Sequence, residues 1–210
     1  ITTPIYYVND IPHIGHTVTT IMADIIARYQ KLQGKKVFFL TGTDEHGAKV
    51  AEAAKKEGLT PKGFCDRVSQ TFSEIWPRFD VNFNYFIRTT NPQHKKIVQK
   101  LLTKIKNSGD IYKSTYKGLY CIGCEKFLTE NELKNGHCPL HQPEQTIEQE
   151  EENWFFRLSK YVPQLISLIE NDETNYIFPE GKRQEVLSKL KMGVHDISFS
   201  RANVSWGIPI

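Results

Sequence analysis

Two groups of side chains have the residue types and the spacing that chemistry needs. In the first, His13-Ile14-Gly15-His16, two imidazoles three residues apart face the same way where a helix is predicted to begin. A helix N-terminus offers free N–H groups and the positive end of a dipole, and Gly15 has no Cβ to keep a phosphate or a flat ring from the backbone. The turn therefore predicts a phosphate site, although paired histidines near a turn are also common as structural or solvated residues.

The second group is Cys121-x-x-Cys124 followed by Cys138-x-x-His141. Each pair can hold one side of a tetrahedral ion, and four protein ligands leave no position for water, so the spacing predicts a structural zinc knuckle over residues 121–141. Because the loop at 125–137 is polar, removal of the metal should unfold the knuckle. Reduced free thiols and a redox pair are the alternatives, but a redox pair does not need the second Cys-x-x-His.

A strand and a helix must position the histidine turn. Residues 1–8 predict a strand that opens a sheet. Apolar residues at helical spacing between Val18 and Leu32 predict a helix that ends near Gly34. The polar positions of this helix are assigned to its solvated face, and they are Asp24, Arg28 and Lys31.

A second strand is predicted over Lys36–Leu40, because a continuous apolar run between glycines is typical of a strand buried in a parallel sheet. Asp44, Glu45 and His46 follow it. The carboxyl ends of neighbouring parallel strands share one crevice, so these side chains are expected near His13. From the residues alone, Asp44 is explained equally well as the cap of the next helix.

The remaining elements up to residue 110 complete an α/β unit. Helices are predicted at 48–58 and 61–78, a third strand at 83–87 and a further helix from Asn91. The last helix is rich in lysine, for which a solvated face is a better explanation than contact with RNA. These elements predict the first half of a doubly wound, parallel nucleotide-binding fold of Rossmann type.

The pattern changes at Gly109. Tyrosines that alternate with polar residues from Tyr112 to Tyr120 predict antiparallel strands, and the acidic run at 144–152 predicts a solvated connector. The sequence thus predicts an insertion that carries the zinc knuckle. The three expected parts are 1–110 as the first half of the nucleotide-binding fold, 111–193 as the insertion, and 194–210 as a segment that returns to the fold.

The composition excludes some classes of protein. The chain has 210 residues and a net charge of +3, which does not indicate a nucleic-acid binder by itself. It has no apolar run of about 18 residues that could span a membrane. Four cysteines, three of them clustered with a histidine, indicate a reducing compartment, so the cytoplasm is the expected location. Because the sequence begins without Met and ends in an apolar segment, we expect it to be part of a longer chain.

The histidine turn resembles the H-I-G-H signature of class I aminoacyl-tRNA synthetases. Residues 41–47, Thr-Gly-Thr-Asp-Glu-His-Gly, resemble the second block of the methionyl-tRNA synthetase family in particular, and the zinc-type cluster follows where that family carries a zinc knuckle. The resemblance runs over essentially the whole chain. It implies activation of methionine by ATP with Mg²⁺ to give methionyl-adenylate, transfer to tRNA(Met), and structural Zn²⁺. It implies neither DNA nor a membrane as a partner.

The resemblance also implies roles for residues of the nucleotide site. His13 and His16 would be catalytic donors to the phosphates, and Gly15 would let the adenine lie against the backbone. Asn9 would donate to a phosphate from the end of the first strand. Arg201 matches a position near the nucleotide, although a surface ion pair would also explain this residue.

Three further residues match the family's methionine site. Asp44 matches the position whose carboxylate holds the amino group of methionine, which is a sensible pairing of opposite charges. Ile5 and Tyr7 match positions that line the methionine side chain. Ordinary core packing remains the alternative explanation for Ile5 and Tyr7.

The sequence departs from the family after residue 190. The lysine-rich K-M-S-K-S loop is absent, since Lys191-Met192-Gly193 does not match it, and the groups that close the methionine pocket and the anticodon-binding domain are missing. Because the lysine loop stabilises pyrophosphate, we expect these residues alone to activate methionine weakly or not at all. The alternative functions are another H-x-G-H nucleotidyltransferase, a different class I synthetase, and a zinc-knuckle module that binds RNA without catalysis.

Overall fold

The computed structural model describes residues 1–124, 126–128, 130–171, 177–202 and 204–209. Two positions of the predicted knuckle loop, 125 and 129, lie outside the described residues. The chain forms two compact units, Ile1–Leu102 with Val204–Ile210 and Thr103–Asn203. No helix in the described part of the chain combines the length and the apolar character needed to cross a membrane.

The first unit contains a three-stranded parallel sheet with helices between its strands. The strand order is β1-β2-β3, and both neighbouring pairs are parallel. This arrangement confirms the predicted parallel α/β fold class. The elements are β1 (Tyr6–Tyr7), α1 (Ile14–Leu32), β2 (Leu40–Asp44), α2 (Ala48–Lys56), α3 (Pro61–Arg78), β3 (Tyr85–Arg88) and α4 (Pro92–Asn107), the last of which continues into the second unit.

Helix α3 supplies much of the core of this unit. Thr60 caps the helix, since its Oγ1 accepts a hydrogen bond from Gly63 N at 3.1 Å, and Pro61 occupies the first helical position as the sequence predicts. The apolar stripe of α3 packs with the buried residues of β1 and of the segment before β2. These core residues are Tyr6, Val8, Phe39, Phe64, Val68, Phe72 and Trp76. Cys65 is buried beside them.

The second strand lies later in the chain than the sequence predicts. Of the apolar run at 36–40, only Leu40 is part of β2. Leu40 is paired with Tyr85 of β3 and forms a bridge to Thr2, whereas Phe38 is 60% exposed. An apolar run indicates that a strand is near, but partner strands decide which residues belong to it.

Helix α1 presents the opposite face to the core from the one predicted. Asp24, assigned to the solvated face, is buried and accepts hydrogen bonds from Arg28 Nε at 2.6 Å and Asn82 N at 3.2 Å. Small side chains share this buried face and let the helix lie close to the core, and they are Thr20, Ala23 and Ala27. The large apolar side chains that are at least half exposed are Val18, Met22, Ile25, Ile26, Tyr29 and Leu32.

The second unit contains an antiparallel sheet with the strand order β5-β4-β6-β7. It confirms the antiparallel strands predicted from the alternating tyrosines. Its elements are β4 (Ile111–Cys121), β5 (Lys126–Leu128), β6 (Thr146–Phe156), α5 (Leu158–Glu170), α6 (Glu180–Lys191) and β7 (Ile197–Ser198). Two short 3₁₀ segments, Glu130–Glu132 and Pro143–Gln145, flank the end of the knuckle.

The acidic run at 144–152 forms a strand and not the connector that the sequence predicts, although most of its carboxylates are exposed, as predicted. Most of it lies in β6, which pairs with β4 from Thr146 to Phe156. Two lysines of β4 form diagonal cross-strand ion pairs with this run, Lys113 with Glu152 at 2.6 Å and Lys117 with Glu148 at 3.2 Å. Because each lysine of β4 lies far from its glutamate in the sequence, only the pairing of the two strands brings these charges together.

Candidate functional site

The histidine turn caps α1 with its own side chains. His13 is the N-cap residue, and its Nδ1 accepts a hydrogen bond from Gly15 N at 3.1 Å. In return, His13 N donates to His16 Nδ1 at 3.1 Å. The result is a capping box in which imidazole rings take the places that Ser or Thr and Glu usually occupy. A neutral imidazole carries one hydrogen, so each ring that accepts at Nδ1 keeps its hydrogen on Nε2 and can donate from there.

The two rings differ in their surroundings. They stack with centroids 3.7 Å apart, and His13 is the exposed member of the pair. The His16 ring packs against Tyr6 and Phe72 with centroid distances of 4.7 and 5.2 Å. Burial lowers the pKa of His16 below its ordinary value, and the neighbouring His13 lowers it further. The His16 ring therefore stays neutral, with a hydrogen to donate, over a wider pH range than an exposed histidine.

Gly15 leaves room for the side-chain cap of the helix. A Cβ at this position would lie 3.0 Å from Cε1 and 3.2 Å from Nδ1 of His13, closer than ordinary van der Waals contact. The missing side chain thus makes room for the capping ring of His13. A role of Gly15 toward adenine stays a prediction.

The parallel pairing of β1 and β2 brings Tyr7 and Asp44 together. These residues end their strands and are register partners, and Val8 N donates to Asp44 O at 3.3 Å. Ile5, 37% exposed, lies two residues before Tyr7, and Asn9 is exposed directly after β1. Two of the three residues predicted for methionine are thus adjacent at the carboxyl edge of the sheet.

Asn9 lines a surface cleft in the first unit. The other residues of this cleft come from α2, the segment that follows it and α3, and they are Lys49, Glu52, Ala53, Lys56, Glu57 and Phe64. The cleft contains cationic side chains, which suits a phosphate or another anion. Its two glutamates balance the formal charge of its two lysines. A contact of Asn9 with a nucleotide phosphate stays a prediction.

Glu45, the residue after β2, is a fully buried carboxylate with its own set of donors. It accepts hydrogen bonds from Arg88 Nε at 2.7 Å, from Arg88 Nη2 at 2.9 Å, from Thr43 Oγ1 at 2.7 Å and from the hydroxyl of Thr90. Burial raises the pKa of Glu45, but the hydrogen bonds from Arg88, Thr90 and Thr43 outweigh it and hold the pKa below its ordinary value. Arg88 Nη2 also donates to Asp66 Oδ1 at 2.7 Å. The charge of Glu45 is thereby neutralised within the protein.

The carboxylate of Asp44 is in a different environment from that of Glu45. Its half-buried carboxylate accepts a hydrogen bond from Thr89 Oγ1 at 3.3 Å, and within the described ranges no cation pairs with it. A carboxylate of this kind, next to one that is already neutralised, is suited to hold the ammonium group of a ligand. Sequence reasoning missed Arg88, Thr89 and Thr90. Their position at the end of β3 was the available signal, because the carboxyl ends of parallel strands meet at one edge.

Trp206 holds the backbone that follows β2. Its Nε1 donates to Glu45 O at 2.5 Å, its carbonyl oxygen accepts a hydrogen bond from Gly47 N at 3.1 Å, and its ring lies 5.7 Å from that of His46. The segment after residue 203 therefore supports the same strand end. The sequence predicted a returning segment here but not this contact.

Arg201 belongs to the second unit. Its Nη1 donates to Ser200 O at 2.7 Å and Ser198 Oγ at 3.1 Å, and its guanidinium lies 6.0 Å from the ring centres of Tyr120 and Phe127. These contacts fix the side chain against the sheet of that unit. A role near the nucleotide stays a prediction.

The four predicted zinc ligands converge. Their ligand atoms all lie within 4.8 Å of one another. His141 Nδ1 is 3.4 Å from Cys124 Sγ and 3.6 Å from both Cys121 Sγ and Cys138 Sγ, and the last two cysteines are buried. Ligand atoms around a tetrahedral zinc ion are separated by about 3.5–3.8 Å, as the usual Zn–S and Zn–N bond lengths require. The cluster therefore has the donor set and the spacing of a structural zinc centre.

Gly123 lets the knuckle close. A Cβ at this position would run into the ring of His141 and the side-chain oxygen of Gln145. The turn is tied further by Cys124 N, which is 3.4 Å from Cys121 Sγ, and by Cys138 N, which donates to Thr146 Oγ1 at 3.0 Å. Backbone N–H groups that point at a sulfur stabilise a thiolate ligand.

Comparison with known proteins identifies the family. The family model of "tRNA synthetases class I (M)" matches residues 1–150 and 131–210. Methionine–tRNA ligase of Thermotoga maritima is 47% identical over 215 residues, which cover 100% of this chain and 34% of that protein. The enzyme of the same name from Nostoc sp. is 44% identical over 211 residues, which cover 100% of this chain and 40% of that protein. The chain thus spans between a third and two fifths of the length of these relatives.

Solved structures agree with this grouping. Mycobacterium tuberculosis methionyl-tRNA synthetase in complex with methionyl-adenylate has a TM-score of 0.92 and 37% sequence identity over 100% of this chain and 42% of that chain. The apo form of the same protein has a TM-score of 0.76 over 100% of this chain and 40% of that chain, with 32% identity. Together with the histidine turn, the strand-end carboxylate and the Cys/His cluster, these matches establish that the chain belongs to the class I tRNA synthetase (M) family.

Proposed function

We propose that the protein containing this chain is a methionine–tRNA ligase, which activates methionine with ATP and transfers it to tRNA(Met). One observation carries the proposal. Tyr7 and Asp44 are register partners at the carboxyl edge of the parallel sheet, and the histidine turn at 13–16 follows the same strand. An amino-acid site and a phosphate site therefore lie on the same chain segments of the first unit.

The first step is an in-line displacement. A carboxylate oxygen of methionine attacks the α-phosphorus of ATP, the bond from that phosphorus to the bridging oxygen of pyrophosphate breaks, and pyrophosphate leaves. Negative charge builds on the phosphate oxygens, where donors already in position stabilise it. His13 and His16 supply these donors from Nε2, because the capping box occupies both Nδ1 atoms. Asn9 and Gly15 complete the nucleotide site within the first unit, and Mg²⁺ accompanies ATP as part of the substrate.

The amino acid is held by its ammonium group and its side chain. Asp44 pairs with the ammonium, while Ile5 and Tyr7 contact the side chain of methionine. In the second step a hydroxyl of the terminal ribose of tRNA(Met) attacks the carbonyl carbon of the adenylate, and AMP leaves. The sequence and the geometry assign no tRNA-contacting residue to this step.

The knuckle is proposed to bind one structural Zn²⁺ ion through Cys121, Cys124, Cys138 and His141. All four positions of a tetrahedral ion are then filled by protein, so zinc supplies folding energy and no chemistry. This proposal is supported by the distances of 3.4–3.6 Å from His141 Nδ1 to the three sulfur atoms. The thiols must be reduced to bind, which agrees with a cytoplasmic location.

ATP–pyrophosphate exchange by the full-length protein tests the proposed function. Exchange should require methionine, and a thermal-shift panel of sulfamoyl-adenylate analogues should show stabilisation by the methionyl analogue alone. Stabilisation by another aminoacyl analogue would indicate a different class I synthetase. Binding of RNA without exchange would indicate a knuckle module without catalysis. Residues 1–210 by themselves are expected to exchange weakly or not at all, and robust exchange by this piece would contradict that expectation.

A further inference from the structure

We propose that Thr89 is a positioning residue, which orients the Asp44 carboxylate toward the ammonium group of the amino acid. The buried Glu45 assists by holding Arg88 away from Asp44. The inference rests on the proposed function, because it concerns the same amino-acid site. It adds residues that lie outside the histidine turn and the second sequence block.

The hydroxyl of Thr89 has only one way to complete its hydrogen bonds. Thr89 is 5% exposed, and its backbone N–H donates to Thr43 O at 3.3 Å, which ties it to β2. Its Oγ1 accepts a hydrogen bond from Glu45 N at 2.9 Å. The single hydroxyl hydrogen then remains for Asp44 Oδ1, at 3.3 Å. One carboxylate oxygen of Asp44 is thus engaged by Thr89, and the other remains for a ligand.

Arg88 is a cation on the neighbouring strand that could compete for Asp44. It ends β3, where its register partner is Thr43, the residue before Asp44. Its guanidinium is bound by both carboxylate oxygens of Glu45 and by Asp66. A fork of this kind fixes the guanidinium plane. Without Glu45 the guanidinium would be free to turn toward Asp44, and the ligand ammonium would have to displace it.

Thr89→Val tests the role of the hydroxyl, because valine has nearly the same shape. Three ligands separate the possible effects: methionine, methioninol, which has the ammonium but no carboxylate, and 4-(methylthio)butanoate, which lacks the ammonium. In the full-length protein, we expect titration calorimetry to show about tenfold weaker binding of methionine and methioninol to Thr89→Val. Binding of the third ligand should not change. Thr89→Ser retains the hydroxyl and should bind methionine within about twofold of the wild type.

A double-mutant cycle distinguishes positioning from a general loosening of the strand end. If Thr89 acts through Asp44, Asp44→Asn with Thr89→Val should bind methionine no more weakly than Asp44→Asn alone. Equal weakening of all three ligands by Thr89→Val, or additive losses in the cycle, would overturn the inference. Thr89→Ala removes the same hydroxyl without a branched side chain, and it gives the same test should the valine variant not fold.

Methionine binding by the wild-type protein separates failure of this inference from failure of the proposed function. Absence of methionine binding by the wild type would overturn the proposed function, and the role of Thr89 with it. Methionine binding by the wild type that Thr89→Val leaves unchanged would overturn only the role of Thr89.

Discussion

The zinc knuckle and the strand end around Asp44 bring chemically active side chains together by different means. The knuckle draws its four ligands from residues 121–141, where two short turns and a metal ion are sufficient. The strand end collects Tyr7, Asp44 and Thr89 from three separate segments, with 45 residues between the last two. The sheet and the core beneath it keep those segments in place.

This difference determines what each region depends on. The small buried cluster of the knuckle contains Cys121, Leu128 and Cys138, so the proposed metal bonds would have to replace most of the apolar contacts that a larger domain has. The strand end lies above a core of aromatic residues that includes Phe39, Phe72 and Trp76. The knuckle should therefore fail when its metal is removed, whereas the strand end should fail when single polar groups are changed, with its fold intact.

The largest effect is expected from loss of the metal. Cys138→Ser should abolish stoichiometric zinc in elemental analysis, and limited proteolysis should then cut within the knuckle. Zinc binding to such sites contributes about 10–16 kcal/mol, far more than the isolated knuckle can replace.

Cys65→Ala is the matched control for loss of zinc. Cys65 is buried in the first unit, where its Sγ is 3.4 Å from Glu45 O. This variant should lose some stability but retain the full zinc content. Retention of zinc by Cys138→Ser, or unchanged protease resistance of the wild type after chelation, would contradict the assignment of the knuckle.

Asp44→Asn should give the next largest effect, and it should leave the fold unchanged. Removal of one partner of a desolvated charge pair costs about 2–5 kcal/mol, so methionine binding should weaken by roughly thirtyfold or more. Titration calorimetry with methionine and with ATP measures the effect, and ATP binding should be retained. Glu74→Gln, at an exposed position on α3, should bind both ligands normally. Wild-type methionine affinity in Asp44→Asn would exclude a role of Asp44 in ammonium binding.

Substitution of Gly123 and Gly15 by alanine compares the rigidity of the knuckle with that of the histidine turn. Gly123→Ala forces a Cβ into the His141 ring, which is fixed as a metal ligand, so we expect a loss of about 2 kcal/mol in zinc affinity, measured by chelator competition. Gly15→Ala meets only the exposed ring of His13, which can move, and alanine favours the helix. Its melting temperature should therefore stay near that of the wild type. Equal zinc affinity in Gly123→Ala and the wild type would show that the knuckle tolerates a displaced His141.

The smallest effect concerns the pH dependence of the histidine cap. The pKa of His16 in the folded state lies below its ordinary value of 6.5, because the ring is buried and His13 is close. As the pH falls through 6.5, the unfolded chain binds the proton first, so the stabilisation is complete above this pH and is lost as the pH approaches the folded-state pKa. Protonation also removes the Nδ1 acceptor of the cap, which contributes about 1 kcal/mol.

His16→Gln provides the comparison for this pH effect. Glutamine at the third helical position can complete a capping box but does not titrate. Between pH 8 and pH 5, the melting temperature of the wild type should fall more than that of His16→Gln. Taking the difference removes the contribution of His46, whose pKa is also lowered by burial. Parallel pH profiles of the two proteins would contradict the prediction.

Patterns with short range were predicted well from the sequence. The convergence of the four Cys and His side chains and the helices α2 and α3 depend on residues close to one another in the sequence. The spacing of these residues along the sequence is therefore enough to identify them. The parallel order of the first three strands also followed, because strands separated by helices leave few other arrangements.

Predictions failed where a partner distant in the sequence decided the outcome. The acidic strand β6 was assigned to a connector because its partners Lys113 and Lys117 lie on a strand distant in the sequence. Asp24 was assigned to solvent because its partner Asn82 follows α3. Periodicity identified two faces of α1 but not which of them meets the sheet, since close approach favoured small residues over large apolar ones.

Residue types at short spacing were enough to predict the family, the parallel α/β class and the clustering of the four Cys and His side chains of the knuckle. Only the tertiary structure decided how the two neighbouring acids after β2 differ. Glu45 is buried and neutralised by Arg88, whereas Asp44 is half-buried and engaged by Thr89. The two carboxylates are chemically nearly alike, but the strand that ends at Arg88 supplies an ion-pair partner to Glu45 and, among the described residues, none to Asp44.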